Sequence, residues 1–177
     1  MQTDAPYLKS LQAQDPKVVK DWYLRTFPAL MLQASRFFTE EAAQMTAVHN
    51  AQLKALKNLS QFKPGTSMEA WLAVILRNEL IDLYRRQNKW RWLSFDAKHE
   101  IAIEPDFDRQ MDVEIELQNV EAVLDKLSPT TRFVFSFYCY EQQKPKEIAN
   151  ALKMNVQTVR WHLKTAKQIL KNQLSHD

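Results

Sequence analysis

Gln157, Arg160, Trp161, Lys164, Lys167, Gln168 and Lys171 fall on one side of a helix when the chain near its C-terminus is wound at helical period. Arginine and glutamine can pair with base edges, and lysine can neutralise phosphates with release of counterions. The opposite side carries Val159, Leu163, Ala166 and Leu170. An apolar side of that kind builds a domain and leaves the polar side to enter a major groove, where one good base contact gives about 1–3 kcal/mol of discrimination. The competing reading is a solvated helix face, the commoner outcome for an isolated charge stripe. A second basic cluster, Arg85, Arg86, Lys89 and Arg91, suits a nucleic-acid backbone.

Other chemistries find little support. His49, His99, His162 and His176 are scattered without His-Glu metal spacing, and the only glycine, Gly65, rules out a Gly-rich phosphate loop. Cys139 is the only cysteine, so neither an intramolecular disulfide nor a Cys-rich metal site is available, and a reducing cytosolic setting fits. No catalytic residue, metal site or cofactor is expected. A nuclease would need ordered carboxylates, with Glu79 and Asp82 the pair to test. Met1-Gln2-Thr3-Asp4 lacks a basic start followed by an apolar run, and no segment is apolar for long enough to span a bilayer. A soluble, cytoplasmic protein with no membrane insertion is the expectation.

The elements that would position these residues are helices. Hairpins and tight turns lean on glycine for positive φ, so one glycine in 177 residues predicts an all-α chain. The charge order is basic, then acidic from Asp96 to Glu116, then basic again. It suggests two small helical domains joined by an acidic flexible linker, with boundaries at 1–93, 94–112 and 113–177.

Periodicity predicts a helix from about Pro16 to Phe38, with Pro28 inside, and a second from Glu40 to Leu59 burying Met45, Val48, Leu53, Leu56 and Leu59. Pro64-Gly65 marks a turn, and Ser67 caps a third helix whose stripe is Leu72, Leu76, Leu80 and Leu83. After the linker, Ser128-Pro129 starts a helix, Pro145 opens a short one to Leu152, and Asn155 caps a last one to about Leu174. The last two, with the turn Lys153-Met154-Asn155 between them, have the dimensions of a helix-turn-helix. Ile148, Ala149 and Leu152 would pack there on Val159 and Leu163.

Two runs carry a resemblance. Leu59-Ser60-Gln61-Phe62, then Trp71-Leu72, Ile75, Arg77-Asn78, Asp82 and Arg85-Arg86, is similar to the second conserved region of bacterial sigma factors. Leu127-Ser128-Pro129, Phe133, Glu147-Ile148-Ala149, Leu152, Thr158-Val159, Leu163 and Ala166 is similar to their fourth. Their order, with a linker and no third region between them, resembles the extracytoplasmic-function branch of the sigma-70 family.

That resemblance implies a non-enzymatic factor that binds core RNA polymerase at its beta-prime clamp and beta flap, recognises promoter DNA and promotes transcription initiation. It implies single-strand contacts to a minus-ten element through Phe62, Lys63, Thr66, Asn78, Asp82, Arg85, Arg86 and Lys89. Duplex contacts to a minus-thirty-five element fall to Gln157, Thr158, Arg160, Trp161, Lys164 and Lys167. Trp71 is assigned to the core, while Trp90 and Trp92 would stack on a base or anchor the linker. The linker is either a solvated spacer or a segment threading the polymerase along the path of nascent RNA.

Four positions depart from the family's pattern. Thr46 and Asn50, with His49 nearby, stand where acidic residues commonly grip the clamp, which shifts expected docking to Val48, Asn50, Leu53, Lys54 and Lys57. Lys153 stands where glycine is frequent. Trp161 replaces a small or polar residue and would meet a thymine methyl, a sugar or a protein partner. The rival reading is a sigma-like DNA-binding regulator with altered polymerase docking or recruited by another protein. An anti-sigma protein is a further possible partner. A third reading is an interaction module built on Trp161 and the run Phe133-Phe135-Phe137-Tyr138-Tyr140, a run whose spacing instead predicts burial.

Overall fold

A computed structural model of the chain describes residues 5–88 and 117–174, and every regular element among them is helical. The acidic linker 94–112 lies outside the described residues, as do Lys89, Trp90 and Trp92. The chain divides into two compact units, one of Met1–Ser35 with Glu40–Leu83, the other of Arg36–Thr39 with Tyr84–Asp177.

The first unit is built on α1 (Ala5–Gln12), α2 (Pro16–Ser35), α3 (Glu41–Lys57), a 3-10 turn at Leu59–Gln61, and α4 (Met68–Asn88) as far as Leu83. Sequence periodicity, which begins at Pro16, misses α1 because eight residues are too few to display a repeat, although Leu8 and Leu11 are buried. Asp15 starts α2 by accepting, through Oδ1, from the N–H groups of Lys17 at 2.9 Å and Val18 at 3.3 Å. The helix runs on through Pro28, which lies on the exposed side, where the carbonyl deprived of its donor can meet water.

The buried face of α3 differs from the expected one. Ala43, Ala47, Ala51 and Ala55 recur every four residues and are buried together with Val48 and Gln52, while Met45 and Leu53 are 36% and 52% exposed. A seam of methyl groups lets α2 and α3 approach closely, and larger side chains in it would force them apart. Gln52 reaches across that seam, donating from Nε2 to Thr26 Oγ1 at 2.8 Å. On α4, Ser67 is the N-cap, its Oγ accepting from the Ala70 N–H at 3.1 Å. Leu72, Leu76 and Leu80 are buried as expected, but Leu83 is only partly so, because the four-residue interval passes on to Tyr84.

The second unit contains α5 (Leu117–Leu124), α6 (Pro129–Tyr140), α7 (Pro145–Leu152) and α8 (Val156–Leu174). Ser128 caps α6 and Pro129 occupies its first turn. Every residue from Thr131 to Phe137 is buried, which makes α6 the central helix of this unit. Phe133 lies between the Phe37 ring, edge-on at 5.3 Å, and the Tyr84 ring, stacked at 4.1 Å. The buried Arg132 is held by Asp125 Oδ1 at 2.9 Å and the Arg36 carbonyl at 3.1 Å. Phe133, Phe135 and Phe137 are therefore core, while Tyr138 and Tyr140 are partly buried. These phenylalanines are closed to a partner, so the interaction-module reading loses most of its aromatic run.

Candidate nucleic-acid interfaces

The helix-turn-helix dimensions expected from the sequence are present in α7, the turn at Lys153–Asn155, and α8. Pro145 opens α7, and the Lys144 N–H donates to Glu147 Oε2 at 2.7 Å, tying down the helix start. Lys153 ends α7 in the left-handed conformation at φ 56, ψ 43, and the following Met154 N–H donates to the Ala149 carbonyl at 2.9 Å. Lysine thus takes the backbone conformation that favours glycine, and the turn keeps its shape at the cost of local strain. Asn155 then starts α8, its Oδ1 accepting from the Gln157 N–H at 2.8 Å.

Burial separates the two sides of α8. Val159, Leu163, Ala166 and Leu170 are buried against the unit, as are Ile148, Ala149 and Leu152 of α7. On the other side Trp161 and Lys164 are exposed, while Gln157, Thr158, Arg160 and Lys167 are partly exposed. The six residues expected to contact duplex DNA thus all reach the surface of one helix.

His162 is a participant that residue type did not reveal. It is 5% exposed, and its Nδ1 lies 2.9 Å from Thr131 Oγ1 on α6. The Ser128 hydroxyl lies 2.9 Å from that same oxygen, so Ser128, Thr131 and His162 form one hydrogen-bonded chain. Burial pushes the imidazole pKa down to about 4, so His162 is neutral near neutral pH. Its place in the run 159, 162, 163, 166, 170 is the signal that could have found it.

The residues expected to contact single-stranded DNA fall on a loop and along α4. Lys63–Thr66 closes a turn in which the Thr66 N–H and hydroxyl both donate to the Lys63 carbonyl, at 3.2 and 2.7 Å. Pro64 precedes Gly65 at φ +87, the pairing a type II turn requires, and a methyl group at Gly65 would meet nothing within 4 Å. Glycine is needed there for its φ and not for space. Lys63 and Thr66 are exposed, but Phe62 is 5% exposed and packs on Trp71 with ring centroids 5.5 Å apart. That placement corrects the expectation for Phe62, which supports the loop from beneath. Trp71 is half-buried as its partner, while Asn78, Asp82 and Arg86 are exposed and Arg85 is partly exposed along α4.

Of the residues expected to dock on polymerase, Asn50, Leu53, Lys54 and Lys57 reach the surface on one side of α3, and Val48 does not. Val48 is fully buried in the α3 seam, which corrects its assignment as a surface contact. Lys54 Nζ is paired with Glu79 Oε1 of α4 at 2.9 Å, with Glu79 itself 8% exposed. This bridge also draws Glu79 away from any carboxylate pair with Asp82. Leu53 and Lys57 are exposed, and Asn50 is partly so. Thr46 is exposed with its hydroxyl donating to the Ala42 carbonyl. Beside them stands a cluster that the sequence did not single out, in which the rings of Tyr23, Phe27 and His49 meet pairwise at 5.4, 5.8 and 6.1 Å, and His49 Nε2 lies 3.1 Å from the Tyr23 hydroxyl.

Among the described residues no group of three or more histidine, cysteine or acidic side chains could hold a metal ion, and no helix is long and apolar enough to cross a membrane. Burial pushes the Cys139 thiol up to about 12, which makes it a poor nucleophile.

A search of curated proteins finds no sequence match. Among solved structures, the chain is similar to the sigma factor RpoE from Bartonella quintana, solved in complex with the anti-sigma factor NepR, at 22% identity over 89% of this chain and 97% of that one, with a TM-score of 0.46. It is also similar to CnrH, solved in complex with the cytosolic domain of CnrY, at 22% identity over 97% of this chain and 96% of that one, with a TM-score of 0.48. Family comparison matches sigma-70 region 2 over residues 23–90, from within α2 through α4. It matches sigma-70 region 4 over residues 117–170, from α5 into α8, so that the two matches together take in more than half of the chain. With both regions present in order, the chain belongs to the sigma-70 family, the sigma factors of transcription initiation.

Proposed function

We propose that the chain acts as a sigma factor of the extracytoplasmic-function type, in which residues 1–93 dock on core RNA polymerase and capture an opened minus-ten element. Residues 113–177 read a minus-thirty-five element as duplex. The observation that carries this reading is the helix-turn-helix of α7 and α8, whose polar side presents Gln157, Thr158, Arg160, Trp161, Lys164 and Lys167 together. Single-strand capture falls to Lys63 and Thr66 of the loop and to Asn78, Asp82, Arg85 and Arg86 along α4, with Lys89 outside the described residues. The family is a class of non-enzymatic transcription factors, and no reaction or cofactor is part of the proposal. The cytoplasm is the compartment where such a factor would meet polymerase and DNA.

The polymerase contact is assigned to Asn50, Leu53 and Lys57, near the Tyr23-Phe27-His49 stack. An anti-sigma or recruiting protein is included as a partner because Leu24, Leu32, Met45 and Leu53 are exposed apolar side chains on this unit. The second reading, a sigma-like regulator recruited by another protein, is favoured by the burial of Val48, which removes one of the expected docking groups, and by the pairing of the exposed Lys54 with Glu79. The test is whether the purified chain binds core RNA polymerase from its own host and directs initiation from a defined point on genomic DNA. Specific initiation is expected; duplex binding without polymerase association would favour the recruited regulator.

A further inference from the structure

Trp161 is at odds with its neighbours. Among the described residues of the second unit it is the large apolar side chain left open, 38% exposed, on the side of α8 that also carries Arg160 and Lys164. A single exposed apolar residue is ordinary on a protein surface, but this one is held. Its ring meets that of His162 edge-on, with centroids 4.8 Å apart at 74°. His162 is in turn buried and anchored through Nδ1 to the Thr131 hydroxyl at 2.9 Å, and Thr131 is 2% exposed on the central helix. The indole therefore rests on a side chain that is itself anchored in the core of the unit.

An indole has one donor, no acceptor and no charge, so it cannot take a phosphate as its cationic neighbours can. In the major groove the apolar group offered by a base edge is the 5-methyl of thymine. We propose that Trp161 is a specificity-determining residue that reads the 5-methyl group of a thymine in duplex DNA, with Thr131 and His162 as positioning residues for its indole. This rests on the duplex-reading role proposed for α8. Gln157, one turn before Trp161, and Lys164, one turn after it, lie on the same side of α8 and would bring that side onto the groove.

The test needs no mutation at its first step. Short duplexes are enriched from a randomised pool on the full chain at low salt, and each thymine of the enriched duplex is replaced singly by deoxyuridine, which removes only the methyl. At one or two positions uracil should weaken binding about fourfold, the value of one buried methyl-sized group. Trp161→Ala should bring that ratio to about one. Thr131→Val should lower the ratio while leaving the salt dependence of binding unchanged, and Thr131→Ser, which keeps the hydroxyl, should retain it.

Wild-type indifference to uracil at every position would overturn the proposal while leaving the duplex-reading role standing. A ratio that survives Trp161→Ala would overturn it too, and if the same variant weakened assembly with core polymerase, Trp161 would be assigned to a protein contact. Failure to enrich any duplex would remove the duplex-reading role and this proposal with it.

Discussion

The helices α3 and α8 are of similar length and both carry apolar and polar residues at helical spacing, yet only α8 buries the side that its large residues mark. On α8 Val159, Leu163 and Leu170 go inward, and Lys164 and Lys171 go outward. On α3 the alanines go inward, and Met45 and Leu53 are left at the surface beside His49. Hydrophobic periodicity identifies a buried face when that face carries the larger side chains, and it misleads when close helix packing selects small ones. The exposed apolar residues of α3 then lie where the sigma-70 region 2 match runs, next to the residues assigned to polymerase docking.

The same substitution on the two helices gives the largest contrast. Leu163→Ala removes a fully buried side chain and should cost about 2–5 kcal/mol, whereas Leu53→Ala should stay within about 0.5 kcal/mol. Urea unfolding followed by circular dichroism reads both, and equal losses would mean that α3 is packed like α8. Leu53→Ala should instead weaken assembly with core polymerase if the docking assignment is right.

A pH titration separates the units next. His162 has its pKa lowered by burial from 6.5 to about 4, so below 6.5 the unfolded chain takes up a proton that the folded unit refuses. Its stabilising contribution is fully present above pH 6.5 and is lost as the pH falls towards 4, a change of about 3 kcal/mol. His162→Gln should flatten that part of the stability–pH curve, and an unchanged curve would place the imidazole in water.

Overpacking the alanine seam is a smaller probe of the same contrast. Ala51→Leu should destabilise the first unit by about 1–3 kcal/mol, read as a lower urea midpoint, despite raising the apolar content of the helix. The smallest expected effect is at the turn before α8. Lys153→Gly relieves the left-handed lysine and should stabilise the second unit by up to about 1 kcal/mol. A loss of stability there would mean that the Lys153 side chain contributes more than its backbone costs.

Much of the candidate interface on α8 was legible because its cap, period and charges agree. Asn155, the four-residue recurrence of large apolar groups and the intervening cations all describe one amphipathic helix. Phe62 was misplaced because an aromatic residue in a polar loop reads equally well as a contact or as an anchor. Only its packing on Trp71 decides between them.

The helical class and the turn chemistry at Ser67, Ser128 and Asn155 were determined by local sequence, since capping and φ restriction act within a few residues. Which face of α3 is buried, the pairing of Lys54 with Glu79, and the anchoring of His162 by Thr131 were decided by the tertiary structure. Each depends on side chains 25 to 31 residues apart or on the closeness of a neighbouring helix, distances over which local propensity carries no information.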